Sequence, residues 1–305
     1  MSVVDAMAGD LLIDKETIRA IACASNNYRR IELPNGRVVW QPAAKLKILQ
    51  YWVMDYIARK GPLPHKCATA YEPGCSIREN ALRHRGCRHM LRLDIRHFFP
   101  SVRGGLLNCY LSKPPLGDLL DDQDASLILR ISTFKGGLVM GAPSSPMLAN
   151  RAMLDADREI EELARAHDPS AVYTRYSDDI AISSQSYIDE RILLDISRVL
   201  HSYGFEINKK KIRWMGKGSA RTIAGVSFAE DGRIALGQRR KCELKRRLYE
   251  FAMDSGATNS DARMVLGHLN FARSIEPEYV DRLLVKYSVY GELPVAEKIA
   301  RLVSC

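Results

Sequence analysis

Three aspartates in this 305-residue chain stand where acidic chemistry would need them: Asp94, Asp178 and Asp179. Residues 89–95 put Leu91, Leu93 and Ile95 on one face and Arg92 and Asp94 on the other, the period of two that marks a strand. Asp178 and Asp179 follow Ser177 at the tip of a strand–turn–strand pattern over residues 171–183. Adjacent acids in a tight hairpin between apolar strands repel one another unless they share a cation. A third carboxylate on a neighbouring strand would complete the oxygen-rich site that magnesium favours. Two such ions, about 3.5–4 Å apart, would activate a 3′-hydroxyl and steady a leaving pyrophosphate in an in-line displacement. Turn chemistry explains Ser-Asp-Asp equally well when it is read alone, because these residues favour turns.

The elements that must hold these acids can be read from periodicity. Residues 29–40 form a hairpin pattern around Pro34-Asn35-Gly36. Residues 41–60 place Leu46, Leu49, Val53 and Tyr56 at helical spacing behind Pro42. Residues 113–124, with two prolines and four aspartates, read as a loop, and residues 149–166 as one helix with an acidic outer face. A further helix spans residues 188–201, with Gly204 in the turn after it, and a hairpin joins residues 221–228 to 233–236 around Glu230-Asp231-Gly232. Beyond residue 238 the pattern is helical throughout: Leu244, Leu248 and Phe251, then Val265 and Leu269, then Val280, Leu284 and Tyr287. Mixed α/β to about residue 237 and all-α afterwards predict an α+β protein with two lobes.

Composition narrows the class. Apolar residues make up 46% and charged residues 27%, as in a soluble globular chain. The N-terminal stretch is acidic where a secretory signal needs a basic start, and the longest uncharged run, residues 136–150, holds three glycines and two prolines. No leader and no membrane segment are therefore expected, and the location expected is cytoplasmic. Seven scattered cysteines without a Cys-x-x-Cys pair fit reduced thiols; Cys75, His84, Cys87 and His89 match no familiar zinc spacing. The net charge is +9, and residues 201–250, with 13 basic and 5 acidic side chains, hold nearly all of it. Such an excess points to a polyanion.

Read together, several motifs resemble the reverse transcriptases, and among them the retron type of bacteria. Tyr176-Ser177-Asp178-Asp179 matches the Tyr-x-Asp-Asp box, and residues 93–101, Leu-Asp-Ile-Arg-His-Phe-Phe-Pro-Ser, match the first catalytic strand. Residues 141–150, Gly-Ala-Pro-Ser-Ser-Pro-Met-Leu-Ala-Asn, resemble the template- and nucleotide-cradling motif. Gly204-Phe205-Glu206-Ile207-Asn208 followed by Lys211 resembles the next palm motif, and Asn80-Ala81-Leu82-Arg83-His84 the Asn-Ala-x-x-His element of retron enzymes. The motifs stand in the family's order and span residues 28–290.

The resemblance implies a right-hand polymerase with an antiparallel palm sheet and a helical thumb. Its division would be N-terminal helices and fingers in 1–90, palm in 91–237 and thumb in 238–305. Asp94 and Asp178 would ligate two Mg2+ ions, with Asp179 in support. Phe99 would stand at the aromatic gate that blocks a 2′-hydroxyl, and Arg37 would grip the triphosphate with its planar fork. Lys211 would neutralise or protonate the pyrophosphate, and Gly141 and Pro143 would let the backbone approach a base pair. Without that context Phe99 is a core aromatic, as Phe98 is expected to be, and Arg37 and the run 209–211 are wet surface. Two departures stand out: Val139-Met140 where the family has Pro-Gln, and Ile223-Ala224-Gly225 where retron enzymes have Val-Thr-Gly.

Asn80 and His84 would join the basic clusters Lys209, Lys210, Arg239, Arg240, Lys241, Lys245, Arg246 and Arg247, with Trp214, Phe228 and Tyr249 interleaved, in contacting nucleic acid. The implied partners are dNTPs and a cognate structured non-coding RNA that serves as template and primer. The implied product is its branched RNA-linked cDNA (msDNA), in anti-phage defence beside an effector (toxin) protein. Two other readings stay open: another bacterial reverse transcriptase, of the diversity-generating or abortive-infection type, and an idle polymerase fold that serves as an RNA-binding scaffold.

Overall fold

The apolar bursts on either side of Gly36 pair as expected. β1 (Tyr28–Glu32) and β2 (Val38–Pro42) run antiparallel, from Tyr28 opposite Pro42 to Glu32 opposite Val38. The helix Ala44–Lys60 follows and buries Leu46, Leu49, Trp52, Val53 and Ile57, the stripe that i, i+3, i+4 spacing lays on one face. The structure, a computed structural model, describes residues 2–34, 36–216, 219, 221–229 and 232–304. Asn35, Glu230 and Asp231, expected at two hairpin tips, lie outside the described residues.

The chain forms two compact units, Met1–Cys75 with Leu91–Trp214, and Ser76–Met90 with Met215–Cys305. In the first, β3 (His89–Arg96, from residue 91 on), β4 (Val172–Tyr176), β5 (Asp179–Ser184) and β6 (Glu206–Ile207) lie in the order β4–β5–β3–β6. β4 and β5 are antiparallel with Tyr176 opposite Asp179, and β3 and β6 are antiparallel with Ile95 opposite Ile207. The helices Leu154–His167 and Glu190–Ser202 pack on each other, the first also against β4 and the second against β6. One core runs through this unit and includes Leu91, Leu93, Ile95, Ile160, Ile180, Ile182 and Ile196.

Two expectations need correcting here. The helix expected over 149–166 is two helices, Ser145–Ala152 and Leu154–His167, which meet at the wholly buried Met153. The loop expected over 113–124 ends in a helix, Asp122–Ser132, because its aspartates serve as cap and first turn. Asp121 accepts a hydrogen bond from the Asp124 N–H (2.8 Å), where orphan donors and the helix dipole favour an acid.

In the second unit the strands Thr222–Ile223, Val226–Phe228 and Ile234–Leu236 form a small antiparallel sheet that touches the helix Ile77–Arg83. The single strand expected over 221–228 is split by Ala224-Gly225, both at positive φ (48° and 85°), a two-residue turn of the kind that matches strand twist. Gly225 is required there, since a Cβ would collide with the Arg240 guanidinium. The helices Gln238–Met253, Asn259–Ile275, Pro277–Tyr287 and Val295–Ser304 complete the unit, with Leu283 buried in place of the expected Leu284. Among the described residues no helix is long and apolar enough to cross a membrane.

Candidate active site

Asp94 and Asp178 meet because β3 lies beside the β4–β5 turn. The Ile95 N–H donates to the Asp178 carbonyl (2.9 Å), and Ser177 takes the left-handed conformation, φ 60°, that carries the chain through the turn. On the other side of β3, the Asn208 N–H donates to the Asp94 carbonyl (2.8 Å) and its side chain to the Asp94 carboxylate (3.2 Å). A 3₁₀ turn, Lys209–Lys211, then brings the Lys211 ammonium to Asp94 at 2.5 Å. Lys211 is therefore part of the acidic centre, and its pKa is raised by the bond to Asp94. Lys209 and Lys210 are exposed in the same turn.

Burial pushes the Asp178 carboxyl up, and neighbouring Asp94 adds to the shift while Lys211 and Arg37 oppose it. Burial likewise raises Asp179; Arg92, 3.7 Å away, opposes that shift and the other two aspartates reinforce it. Among the described residues no group of three or more His, Cys, Asp or Glu side chains is gathered as a metal site, and the Asp94 carboxylate is paired with Lys211. The donors nevertheless suit a hard divalent cation: they are oxygen-only, Asp178 and Asp179 are raised by burial and by neighbouring acids, and Asp94 already pairs with the positive Lys211.

A cavity of ≈1120 Å³ opens beside these acids, lined among others by Arg37, Asp94, Phe99, Asp178 and Lys211. It exceeds the roughly 300–1,000 Å³ of a site for one small ligand, so it has room for a nucleotide and the end of a chain. Phe98 is buried in the core as expected, whereas Phe99 is half-buried and faces the cavity. Val139 and Met140, the departure from the family's Pro-Gln, also line it.

Gly141 and Pro143 do not line the cavity. Gly141 sits at φ 110°, and a Cβ there would lie 2.5 Å from Val39 Cγ1 and 2.8 Å from the Trp40 carbonyl. The glycine therefore permits close approach to β2, where the Trp40 N–H donates to the Met140 carbonyl (2.8 Å). Gly141→Ala is expected to cost at least about 1–3 kcal/mol from the backbone conformation alone. An unchanged urea midpoint would refute that reading.

Beneath the turn lies a buried network that sequence reasoning missed. Arg175 and Asp157 are both wholly buried and joined twice, Nε to Oδ1 at 2.8 Å and Nη2 to Oδ2 at 2.6 Å. Burial works against the Arg175 charge, and the Asp157 carboxylate overcomes it, so the guanidinium pKa is raised. Arg175 Nη1 also donates to the Ser177 carbonyl and to Asn150 Oδ1, each at 3.1 Å. Asn150 Nδ2 in turn donates to the Ala70 carbonyl (2.7 Å) and the Glu72 carboxylate (3.1 Å). The available signal was a charged residue inside an apolar strand, matched by an aspartate on the apolar face of a neighbouring helix.

The expected nucleic-acid residues divide in two. Asn80 and His84 are buried, 1% and 0% exposed, and burial lowers the His84 pKa to about 3. Both side chains are enclosed within the second unit. In the Gln238–Met253 helix, Arg246 is paired with Glu243 (2.9 Å) and Glu250 (2.7 Å), Arg247 with Glu243 (2.5 Å), and Lys241 with Glu276 (2.9 Å). Arg240 donates to the Ala224 carbonyl (3.1 Å) and lies 4.3 Å over the Phe271 ring. Arg239 and Lys245 are in no ion pair among the described residues.

The sequence model of a family described as reverse transcriptase (RNA-dependent DNA polymerase) matches residues 14–228. The Retron Ec73 reverse transcriptase of Escherichia coli is 28% identical over 299 residues, which cover 90% of this chain and 94% of that protein. The Retron Ec83 reverse transcriptase of Escherichia coli is 28% identical over 283 residues, 86% of this chain and 88% of that one. The apo telomerase of Candida tropicalis superposes with a TM-score of 0.52 at 10% identity, over 90% of this chain and 62% of that one, a likeness of fold alone.

Proposed function

This chain belongs to the reverse transcriptase family, the RNA-directed DNA polymerases, and we propose that it works as a retron enzyme, copying a cognate structured non-coding RNA into branched, RNA-linked single-stranded DNA. The observation that carries the proposal is the convergence of Asp94, Asp178, Lys211, Arg37 and Phe99, distant in sequence, on one cavity. The division proposed is fingers in 1–90, palm in 91–237 and thumb in 238–305, with residues 76–90 sharing a compact unit with residues 215–305.

Asp94 and Asp178 would hold two Mg2+ ions, supported by Asp179. Such ions, when bound, polarise the attacking hydroxyl and stabilise the departing pyrophosphate. The chain's own residues supply the rest. Arg37 presents a planar fork of donors to the triphosphate. Phe99 narrows the cavity against a 2′-hydroxyl, which selects deoxynucleotides. Lys211, with its raised pKa, holds a proton beside the acids for the leaving pyrophosphate. Arg92 keeps Asp179 aligned, and the Arg175 bond to the Ser177 carbonyl fixes the turn.

The basic side of the helix Gln238–Met253 is proposed to follow the RNA–DNA duplex through its phosphates. Arg239 and Lys245, in no ion pair among the described residues, are the side chains best placed for this. The double substitution Arg239→Gln/Lys245→Gln is expected to weaken duplex binding and reduce the slope of log K against log salt by about 2. The melting temperature should stay within the small range of surface changes. An unchanged slope would remove these residues from the interface.

The resemblance to retron enzymes extends the proposal to a cytoplasmic location, an effector (toxin) partner and anti-phage defence. Nucleic acid extracted from the protein expressed with its flanking locus tests it. Short DNA joined to RNA through a debranching-sensitive linkage is the expected result. Free linear cDNA would move the reading to another bacterial reverse transcriptase, and RNA without DNA to a binding scaffold.

A further inference from the structure

An exposed aromatic ring beside the Asp178 turn has no part in the roles above. Tyr71 lines the same cavity as Ser177 and Asp178 and is 51% exposed. Its place is built by the chain before and after it. Residues 67–69 run along β4: the Arg175 N–H donates to the Cys67 carbonyl (2.8 Å) and the Thr69 N–H to the Arg175 carbonyl (2.9 Å). The Asn150 amide then binds residues 70 and 72 together. Tyr71, between these two anchors, takes φ 63°, and its hydroxyl donates to Ser177 Oγ (3.2 Å). Left-handed backbone is uncommon for a bulky residue and marks a position that the surrounding structure dictates. What that backbone achieves here is to leave a ring half in solvent, bonded to the residue next to Asp178.

We propose that the Tyr71 ring is the surface on which the primer-terminal nucleotide rests, so that the attacking hydroxyl is presented to Asp178. The proposal rests on the assignment of the Asp94–Asp178 cavity as the polymerising centre. Stacking suits this position because the terminal nucleotide changes identity at every cycle, and each base offers a π-face to a ring without being read by hydrogen bonds. The bond to Ser177 fixes the ring relative to the same turn that carries Asp178, so chain end and carboxylate share one frame.

The test is primer extension by the full-length protein on an RNA template with an annealed DNA primer, varying primer–template and dNTP separately. Tyr71→Gly removes the ring and keeps a residue at ease at positive φ. It is expected to raise the KM for primer–template about tenfold or more, with little change in the KM for dNTP. Tyr71→Phe keeps the ring and should keep the primer–template KM near that of the wild type, while kcat falls a few-fold because the bond that ties the ring to the Asp178 turn is lost. If Tyr71→Gly does not fold, Tyr71→Asn, which also tolerates this conformation, gives the same readout. An unchanged primer–template KM in the glycine or asparagine variant would overturn the proposal. So would a Tyr71→Phe variant whose primer–template KM rises as much as that of Tyr71→Gly, since the ring would then contribute nothing to holding the chain end. Asp178→Asn assayed in parallel separates the two failures: extension at the wild-type rate would mean that the centre itself is misplaced.

Discussion

Asp178→Asn is expected to lower the kcat of primer extension by roughly 10³-fold or more, about 4 kcal/mol of transition-state stabilisation at 1.36 kcal/mol per decade. The same variant should melt at or above the temperature of the wild type in the absence of divalent ions. The reason is geometric: a partly buried carboxylate stands near Asp94 and beside Asp179 without an ion pair of its own among the described residues, and an amide of the same shape removes that repulsion. Sites arranged for chemistry are often held at the expense of stability. Asp94→Asn should lose as much rate and also melt slightly lower, because Lys211 and Asn208 both donate to its carboxylate. Lys211 is largely exposed, so the second effect is modest. Thermal melts and single-turnover extension on both variants check the contrast. An Asp178→Asn enzyme within about tenfold of the wild-type rate would remove the carboxylate from the chemistry.

What could be read in advance follows from the range of each interaction. β3, β4 and β5 were legible because alternation is local, and the position of Asp94 and Asp178 at strand and turn follows from the same alternation. Lys211 looked like part of a wet lysine run, and only the pairing of β3 with β6 brings it onto Asp94. The packing of Gly141 was not legible because its neighbour is β2, about a hundred residues earlier. Tyr71 carried no local signal at all: its backbone is set by Asn150, far along the chain. The basic helix was a different case. The spacing of Glu243, Arg246, Arg247 and Glu250 already satisfies the i, i+3 and i, i+4 rule, so part of the charge excess was readable as internal pairing. Composition counts charges and is blind to which are already answered.

The Arg175–Asp157 pair gives the largest stability effect expected in the chain. Asp157→Leu leaves a wholly buried guanidinium without its carboxylate and deprives the Tyr173 hydroxyl of its acceptor at 2.7 Å. Breaking one side of such a pair costs about 3–5 kcal/mol, enough to threaten folding of a marginally stable unit. The double variant Asp157→Leu/Arg175→Met replaces both charges with apolar groups, which is often nearly neutral for stability. Recovery of most of the lost denaturation midpoint in the double variant is therefore expected, the remainder being the Tyr173 hydroxyl that still lacks its acceptor. Recovery of polymerisation is not, because the Arg175 guanidinium also donates to the Ser177 carbonyl and to Asn150. Those bonds hold the Asp178 turn and the amide that anchors residues 70 and 72, so their loss loosens the turn while the core stays filled. A misplacement of about 1 Å at a reacting centre can cost a hundredfold in rate. A double variant that regained both stability and full kcat would show that the pair serves packing alone. One that regained stability and stayed slow would make Arg175 the residue that positions the catalytic turn.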